Sequence, residues 1–219
     1  MTSSLRTRLG ASIAVVAIGA AAVVLSIGSS GDAATACLAK DKLASAKLKN
    51  VQGDQVGKVT FGIHSSCKTK LTVALSGITA GFHGFHIHTT GVCDPAATDP
   101  SGAAVPFYSA GGHFNPGATD HGAHAGDLPP ALGMDTGAAR TWFLTSGFRI
   151  TDLDDDDGSA VILHAGADNL ANIPAATASG EERYHSHAYD TMGADEDSRK
   201  TGDAGARFAC GVVKRNPRD

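Results

Sequence analysis

The chain of 219 residues carries 18 Lys and Arg against 22 Asp and Glu, for a formal charge of −4, together with 27 glycines and only 5% aromatic residues. This acid-leaning balance, with no basic cluster to offset it, excludes a nucleic-acid partner held through phosphate contacts. The length suits one domain with a substantial core plus an export segment.

Arg6 and Arg8 precede an apolar run from Leu9 to Ile27, then a polar Ser-Gly-Asp stretch and Ala34-Thr35-Ala36, the order of an export signal. Cleavage near Ala36 is expected. The run approaches the length of a spanning helix, so an uncleaved anchor that tethers the protein to a membrane is the alternative. Cys37 follows directly, but Ala34 and the long polar spacer count against lipid attachment there. Residues 1–36 are thus read as signal or anchor and 37–219 as the domain. Export implies an oxidising extracellular, cell-envelope or periplasmic setting. Cys37, Cys67, Cys93 and Cys210 therefore form two disulfides, in any of three connectivities.

A first strand is expected near Ala46–Val51, followed by a turn at Gly53-Asp54. Gln55–Ile63 and Lys68–Ser76 alternate apolar and polar residues about Ser65-Ser66, the pattern of a hairpin with one buried face. Residues 81–88 read as one further strand. Its period of two puts His86 and His88 on one face and Ile87 on the other, so two imidazoles can share an ion. His83 breaks that parity and reads as a structural histidine bonded to backbone, as does His64 at a hairpin end.

From Thr89 to about Gly137 Gly, Pro, Asp and Thr abound and periodicity fades. Within this stretch, residues 110–128 gather His113, His121, His124 and Asp127 in a Gly- and Pro-rich loop that can be neither helix nor central strand. Three imidazoles and a carboxylate are a tetrahedral set suited to a closed zinc site. Thr141–Ile150 resumes as strand, with Trp142, Leu144 and Phe148 expected in the core. Asp154–Gly158 reads as a solvated acidic turn, since its spacing lacks a calcium-loop pattern. Ala160–His164 is an apolar strand that has no packing reason to end in histidine, making His164 a third ligand for the ion at His86 and His88. Residues 165–206 form a second irregular stretch in which His185 and His187 read as solvated, and Phe208–Lys214 closes the chain. About eight short strands, two long loops and no helix beyond the signal give an antiparallel sandwich or flattened barrel.

Taken together, His86-Ile87-His88, Gly112-His113-Phe114-Asn115-Pro116, His121, His124, Asp127, His164 and Gly205-Ala206-Arg207-Phe208-Ala209-Cys210-Gly211 resemble the copper/zinc superoxide dismutase family, from about Ala46 to Val213. The resemblance implies an all-β, eight-stranded antiparallel Greek-key barrel or sandwich with two long functional loops. It implies copper on His86, His88, His113 and His164, zinc on His113, His121, His124 and Asp127, and an activity that converts superoxide to O2 and H2O2. His113 would be shared by both ions. Asp168 would hydrogen-bond a ligand of each, and Arg207 would dock the anion beside copper. Cys93 would pair with Cys210. That leaves Cys37 and Cys67, outside the family's general pattern, as a second pair pinning the N-terminus. A homodimer is compatible with the resemblance.

The short His88–Cys93 spacing looks like bacterial members, and the run Ala167–Pro174 looks like actinobacterial, exported ones. Segment 175–200 is an insertion where the family has a charged, anion-guiding loop. Two competing readings are a non-catalytic exported copper/zinc buffer and a zinc-stapled structural sandwich. Arg207 speaks against the buffer, which needs ligands but no anion dock. Convergence of His86, His88 and His164 from separate strands speaks against the sandwich.

Overall fold

The computed structural model describes residues 43–173, 179–180 and 184–216. Residues 1–36, expected to be an export signal or anchor, together with Cys37 and residues 174–178 and 181–183, lie outside the described residues. The strands are β1 (Ala44–Asn50), β2 (Gln55–Ile63), β3 (Thr69–Leu75), β4 (Gly81–His83), β5 (Phe85–His88), β6 (Ala131–Gly133), β7 (Ala139–Thr145), β8 (Ala160–His164), β9 (His185–Ser186), β10 (Thr191–Met192), β11 (Arg207–Val212) and β12 (Lys214–Arg215), with one short helix, α1 (Glu196–Thr201), before β11. Eight of them make a single curled antiparallel sheet in the order β5-β8-β11-β1-β2-β3-β7, with β12 on β1, while β4 pairs with β6 and β9 with β10. The all-β expectation holds as a half-barrel of this kind.

Period-two alternation sets which residues close the core. Ala46 and Leu48 of β1, Val59 and Phe61 of β2 and Leu71, Val73 and Leu75 of β3 all point inward and are buried. Each of these Val, Leu and Phe side chains contributes about 1.5–3 kcal/mol by leaving water. At the other edge both sheet faces are covered. Phe85, Ile87, Val161 and Leu163 join the inner core, whereas His86, His88 and His164 lie on the outer face with Ala160 and Ile162. That outer face is covered by Phe107 and Ala110 from the loop after β5.

Four expectations are corrected. Residues 81–88 form two strands, because the chain breaks at Gly84. A Cβ there would lie 2.5 Å from that of Ala204, so β4 turns away to pair with β6 while β5 pairs with β8. β6 itself lies in the stretch expected to be irregular. Trp142, 62% exposed, and Leu144, opposite Lys70 on the same face, are outside the core. The inward residues of β3 face Leu71↔Phe143, Val73↔Thr141 and Leu75↔Ala139, which turns Trp142 outward opposite Thr72, with Lys70 over its ring at 5.0 Å. Finally, α1 is a helix beyond the signal: Asp195 caps its first turn by accepting from the Ser198 amide at 2.9 Å, and Gly202, left-handed at φ 67°, ends it.

Candidate metal centre

β5 has a free edge, and the Gly-rich loop docks on it. The Ile87 amide donates to Gly126 O (2.9 Å), Phe114 to Ile87 O (2.8 Å) and Thr89 to Gly112 O (3.0 Å), pairing an edge that would otherwise offer open backbone groups. Gly126 is required at this approach, since a Cβ would stand 2.5 Å from Ile87 O and 2.9 Å from Phe114 Cβ. Loop bridges then set His113 opposite His88 and Asp127 opposite His86. A loop with no regular structure is thereby held as firmly as a strand.

Two groups of donors result. His86, His88, His113 and His164 are all buried and bring one ligand atom each within 4.8 Å of the others. In each of the three strand histidines one nitrogen is already committed: His86 Nε2 to Asp168 Oδ2 (2.6 Å), His88 Nδ1 to Gly111 O (2.9 Å) and His164 Nδ1 to Gly205 O (2.9 Å). These bonds select the tautomers and leave His86 Nδ1, His88 Nε2 and His164 Nε2 as buried lone pairs. Together with His113 Nε2, those atoms have no hydrogen-bond partner. Four orphaned imidazole nitrogens converging in a buried place are what a nitrogen-bound copper ion requires.

On the far side of the His113 ring, Asp127 Oδ1 lies 3.0 Å from His113 Nδ1 and 3.2 Å from each of His121 Nδ1 and His124 Nδ1, and His124 Nδ1 lies 3.3 Å from His113 Nδ1. A tetrahedral ion with bonds of about 2.0–2.1 Å needs ligand–ligand edges of about 3.3 Å. These four donor–donor separations, 3.0–3.3 Å, match that edge. His121 Nδ1 faces Asp127 Oδ1 across this space. His86 also lies within reach of this second group. We assign it to the first because its Nε2 is taken by Asp168 and only Nδ1 is free. The second Asp127 oxygen accepts from the Gly122 amide (2.7 Å) and the His124 amide (3.0 Å), which fixes the direction of Oδ1.

Asp168 joins the two halves, bonding His86 Nε2 through Oδ2 and His121 Nε2 through Oδ1 at 2.8 Å. Burial, the largest influence, pushes His164 down to about 3 and His113 to about 4, holds His88 well below its usual value and lowers His86 despite Asp168. These rings are neutral and ready to ligate. His121 is different: burial opposes its charge, but hydrogen bonds with Asp127 and Asp168 outweigh that and raise it to about 9. Both carboxylates overcome their own burial through those histidines and stay well below the usual carboxylate range. In the metal-free chain the His121 contribution to stability is fully present below pH 6.5 and is lost as pH rises through about 9. Zinc binding at pH 7.5 is therefore expected to release about one proton, from His121. Calorimetry in buffers of differing ionisation enthalpy measures it, and zero release contradicts the assignment.

Arg207 stands directly across β11 from His164, at a bulge that skips Phe208 before Ala209 pairs with Leu163. Its NH1 donates to Phe107 O (2.6 Å) and its NH2 to Gly111 O (2.7 Å), the carbonyl that also holds His88. Cys93–Cys210 ties the same loop to β11. Cys67 is also disulfide-bonded and no described cysteine is free, but the Cys37 half of the expected pair lies outside the described residues. A cleft of about 570 Å3 opens over His88, His113, His164 and Arg207, with Asp197, Arg199 and Lys200 from α1 at its rim. A second cleft, of about 650 Å3 over β1, β11 and β12, is lined by none of the histidines.

Of the other histidines, His83 bonds backbone at His164 O (2.8 Å) and Thr79 O (3.0 Å), and His64 pairs with Ser66 at the hairpin end. Sequence reasoning missed the carbonyls of Phe107, Gly111 and Gly205, and that of Arg199, which accepts the His121 amide at 2.7 Å. Backbone acceptors have no residue-type signal by which they could be found.

Residues 55–213 match the family model described as copper/zinc superoxide dismutase (SODC). The chain is 42% identical over 170 residues to the superoxide dismutase [Cu-Zn] of Mycolicibacterium paratuberculosis, covering 76% of this chain and 71% of that one. It is 42% identical over 166 residues to the Mycobacterium tuberculosis protein of the same description, covering 74% and 65%. The solved Cu/Zn superoxide dismutase from Brucella abortus superposes with a TM-score of 0.58 at 26% identity, covering 79% of this chain and all of that one.

Proposed function

Because the chain belongs to the copper/zinc superoxide dismutase family, we propose that His86, His88, His113 and His164 hold copper, that His113, His121, His124 and Asp127 hold zinc, and that the paired centre converts superoxide to O2 and H2O2. The observation that carries this reading is the His113 ring, with an orphaned Nε2 on the side of three neutral histidines and Nδ1 3.0 Å from Asp127 Oδ1 on the other. Bound copper supplies one-electron chemistry in both directions, and bound zinc supplies fixed charge beside it.

The remaining work falls to the chain's own groups. His113, held at Nδ1, can carry a proton at Nε2 and pass it to the substrate on the way to H2O2. Asp168 fixes the orientation of a ligand on each side, so one cannot turn without disturbing the other. Arg207 gives two donors to backbone and keeps the rest of its guanidinium fork for a small anion at the base of the cleft. Arg199 at the rim adds positive charge, whereas Lys200 is paired with Glu196. Local field of this kind matters more than the net charge of −4. Arg207→Ala is expected to keep both metals and lose about 10- to 100-fold in kcat/KM, since a focusing charge is worth about 10–10³ in encounter rate. An unchanged kcat/KM removes Arg207 from the mechanism. A metal buffer has no task for this clamped arginine and is not favoured.

The direct test is elemental analysis of the purified chain with dismutation assayed before and after chelation. Copper and zinc in equal amounts, with activity that disappears on chelation and returns with copper, support the reading; dismutation that survives complete copper removal overturns it. Export is supported by the disulfide and by the N-terminal pattern of residues 1–36, which also keeps a membrane tether open as a reading. A second copy of the chain suits the exposed apolar face of β4 and β6, where Phe82 stands opposite Leu132, and sedimentation velocity would register a dimer that Phe82→Asp dissolves.

A further inference from the structure

β9 and β10 form a small hairpin within the insertion, and three of its side chains share one face. His185 and His187 are two residues apart, and their Nδ1 atoms lie 3.4 Å from each other. Met192 is the cross-strand partner of His185, and directly opposed residues project to the same side of an antiparallel pair with Cβ atoms about 4.5–5.5 Å apart. His185 Nε2 lies 3.3 Å from Asp190 Oδ1, and a ring that turns its Nε2–H toward that carboxylate offers Nδ1 as a lone pair. Two neutral Nδ1 atoms can satisfy each other with one N–H···N bond at most. They can also share an ion, because about 3.3 Å is the edge set by two metal–nitrogen bonds of about 2.0–2.1 Å at a tetrahedral angle.

We propose that His185, His187 and Met192 form an auxiliary surface site for Cu(I), separate from the paired centre. The donor set points to the metal: two imidazoles and a neutral thioether, with no thiolate among them, suit cuprous copper. Access is open, since His187 and Met192 are both exposed. The hairpin is also held in place. Ser186 Oγ donates to Asp195 Oδ2 (2.7 Å) and the Tyr189 hydroxyl to Asp197 Oδ2 (2.9 Å), which fasten it to the N-terminal turn of α1. Asp197 and Arg199 of that helix line the cleft over the paired centre, and the Arg199 carbonyl holds the His121 amide. A cuprous ion caught on the hairpin is therefore held by a segment fastened to the helix that lines that cleft.

The experiment uses the full chain already loaded with copper and zinc, titrated anaerobically with Cu(I) against bicinchoninate as competing chelator. One further equivalent per chain is expected. His185→Ala/His187→Ala keeps its original copper and zinc and loses that further equivalent, while Met192→Leu weakens it at least about tenfold. X-ray absorption of the added Cu(I) then reports one sulfur neighbour, absent in Met192→Leu. The site is overturned if the parent takes no further Cu(I) or if the double histidine variant takes as much as the parent; Met192 is overturned as a ligand if Met192→Leu binds equally well. Failure of the paired centre is seen separately, in the metal content before titration.

Discussion

Replacing Cys93 and Cys210 together by alanine is expected to cost about 4–5 kcal/mol of folding stability, the chain-entropy value for a crosslink closing a loop of about 100 residues. The two cysteines are 117 residues apart in sequence. At about 2–4 °C per kcal/mol for a domain of this size, the melting temperature of the loaded protein falls by about 10–20 °C. Activity falls with it, for a geometric reason. Both cysteines pack with Phe107, Ala110, Ala160 and Ile162 on the outer sheet face, and the loop they secure supplies Phe107 O and Gly111 O to Arg207 and Gly111 O to His88. Freeing that loop loosens the proposed anion dock, Arg207, and one proposed copper ligand, His88, together. A melting temperature within a few degrees of the parent, with unchanged kcat/KM, contradicts this role.

His113→Ala carries the largest expected effect on chemistry. The ring belongs to both donor groups, so each loses one of its four ligands, and the group that can hold a proton at Nε2 is gone. Loss of a proton-transfer group alone is worth about 10²–10⁴ in rate. We expect the rate per bound copper to fall at least that far, with zinc content falling as well because Asp127 and His124 lose the nitrogen beside them. The readouts are metal content and dismutation rate per copper. Full zinc occupancy with an unaltered rate contradicts the sharing of this ring.

The donor chemistry was legible in the chain because ligand types are. His86 and His88 declare themselves through strand parity, and three histidines with an aspartate in a Gly-rich loop have few other uses. What could not be read was how partners set parity and position. Trp142 lies in a run that alternates well enough, but its register against β3 decides which face it occupies, and that register is set by residues far away in sequence. The loop 110–128 has no period of its own. Its order comes from docking on the free edge of β5, a tertiary event. Six-residue α1 is too short for periodicity to reveal, although Asp195, the acids after it, Arg199-Lys200 and Gly202 spell out its caps and could have located it.

The most direct test is anomalous diffraction from crystals of the protein loaded with Cu(II) and zinc, with data collected at both absorption edges. The arrangement predicts one copper peak bonded to His86 Nδ1, His88 Nε2 and His164 Nε2 and one zinc peak bonded to His121, His124 and Asp127 Oδ1, with the His113 ring between them and touching both. A single ion, or a His113 ring in contact with only one of two, contradicts it.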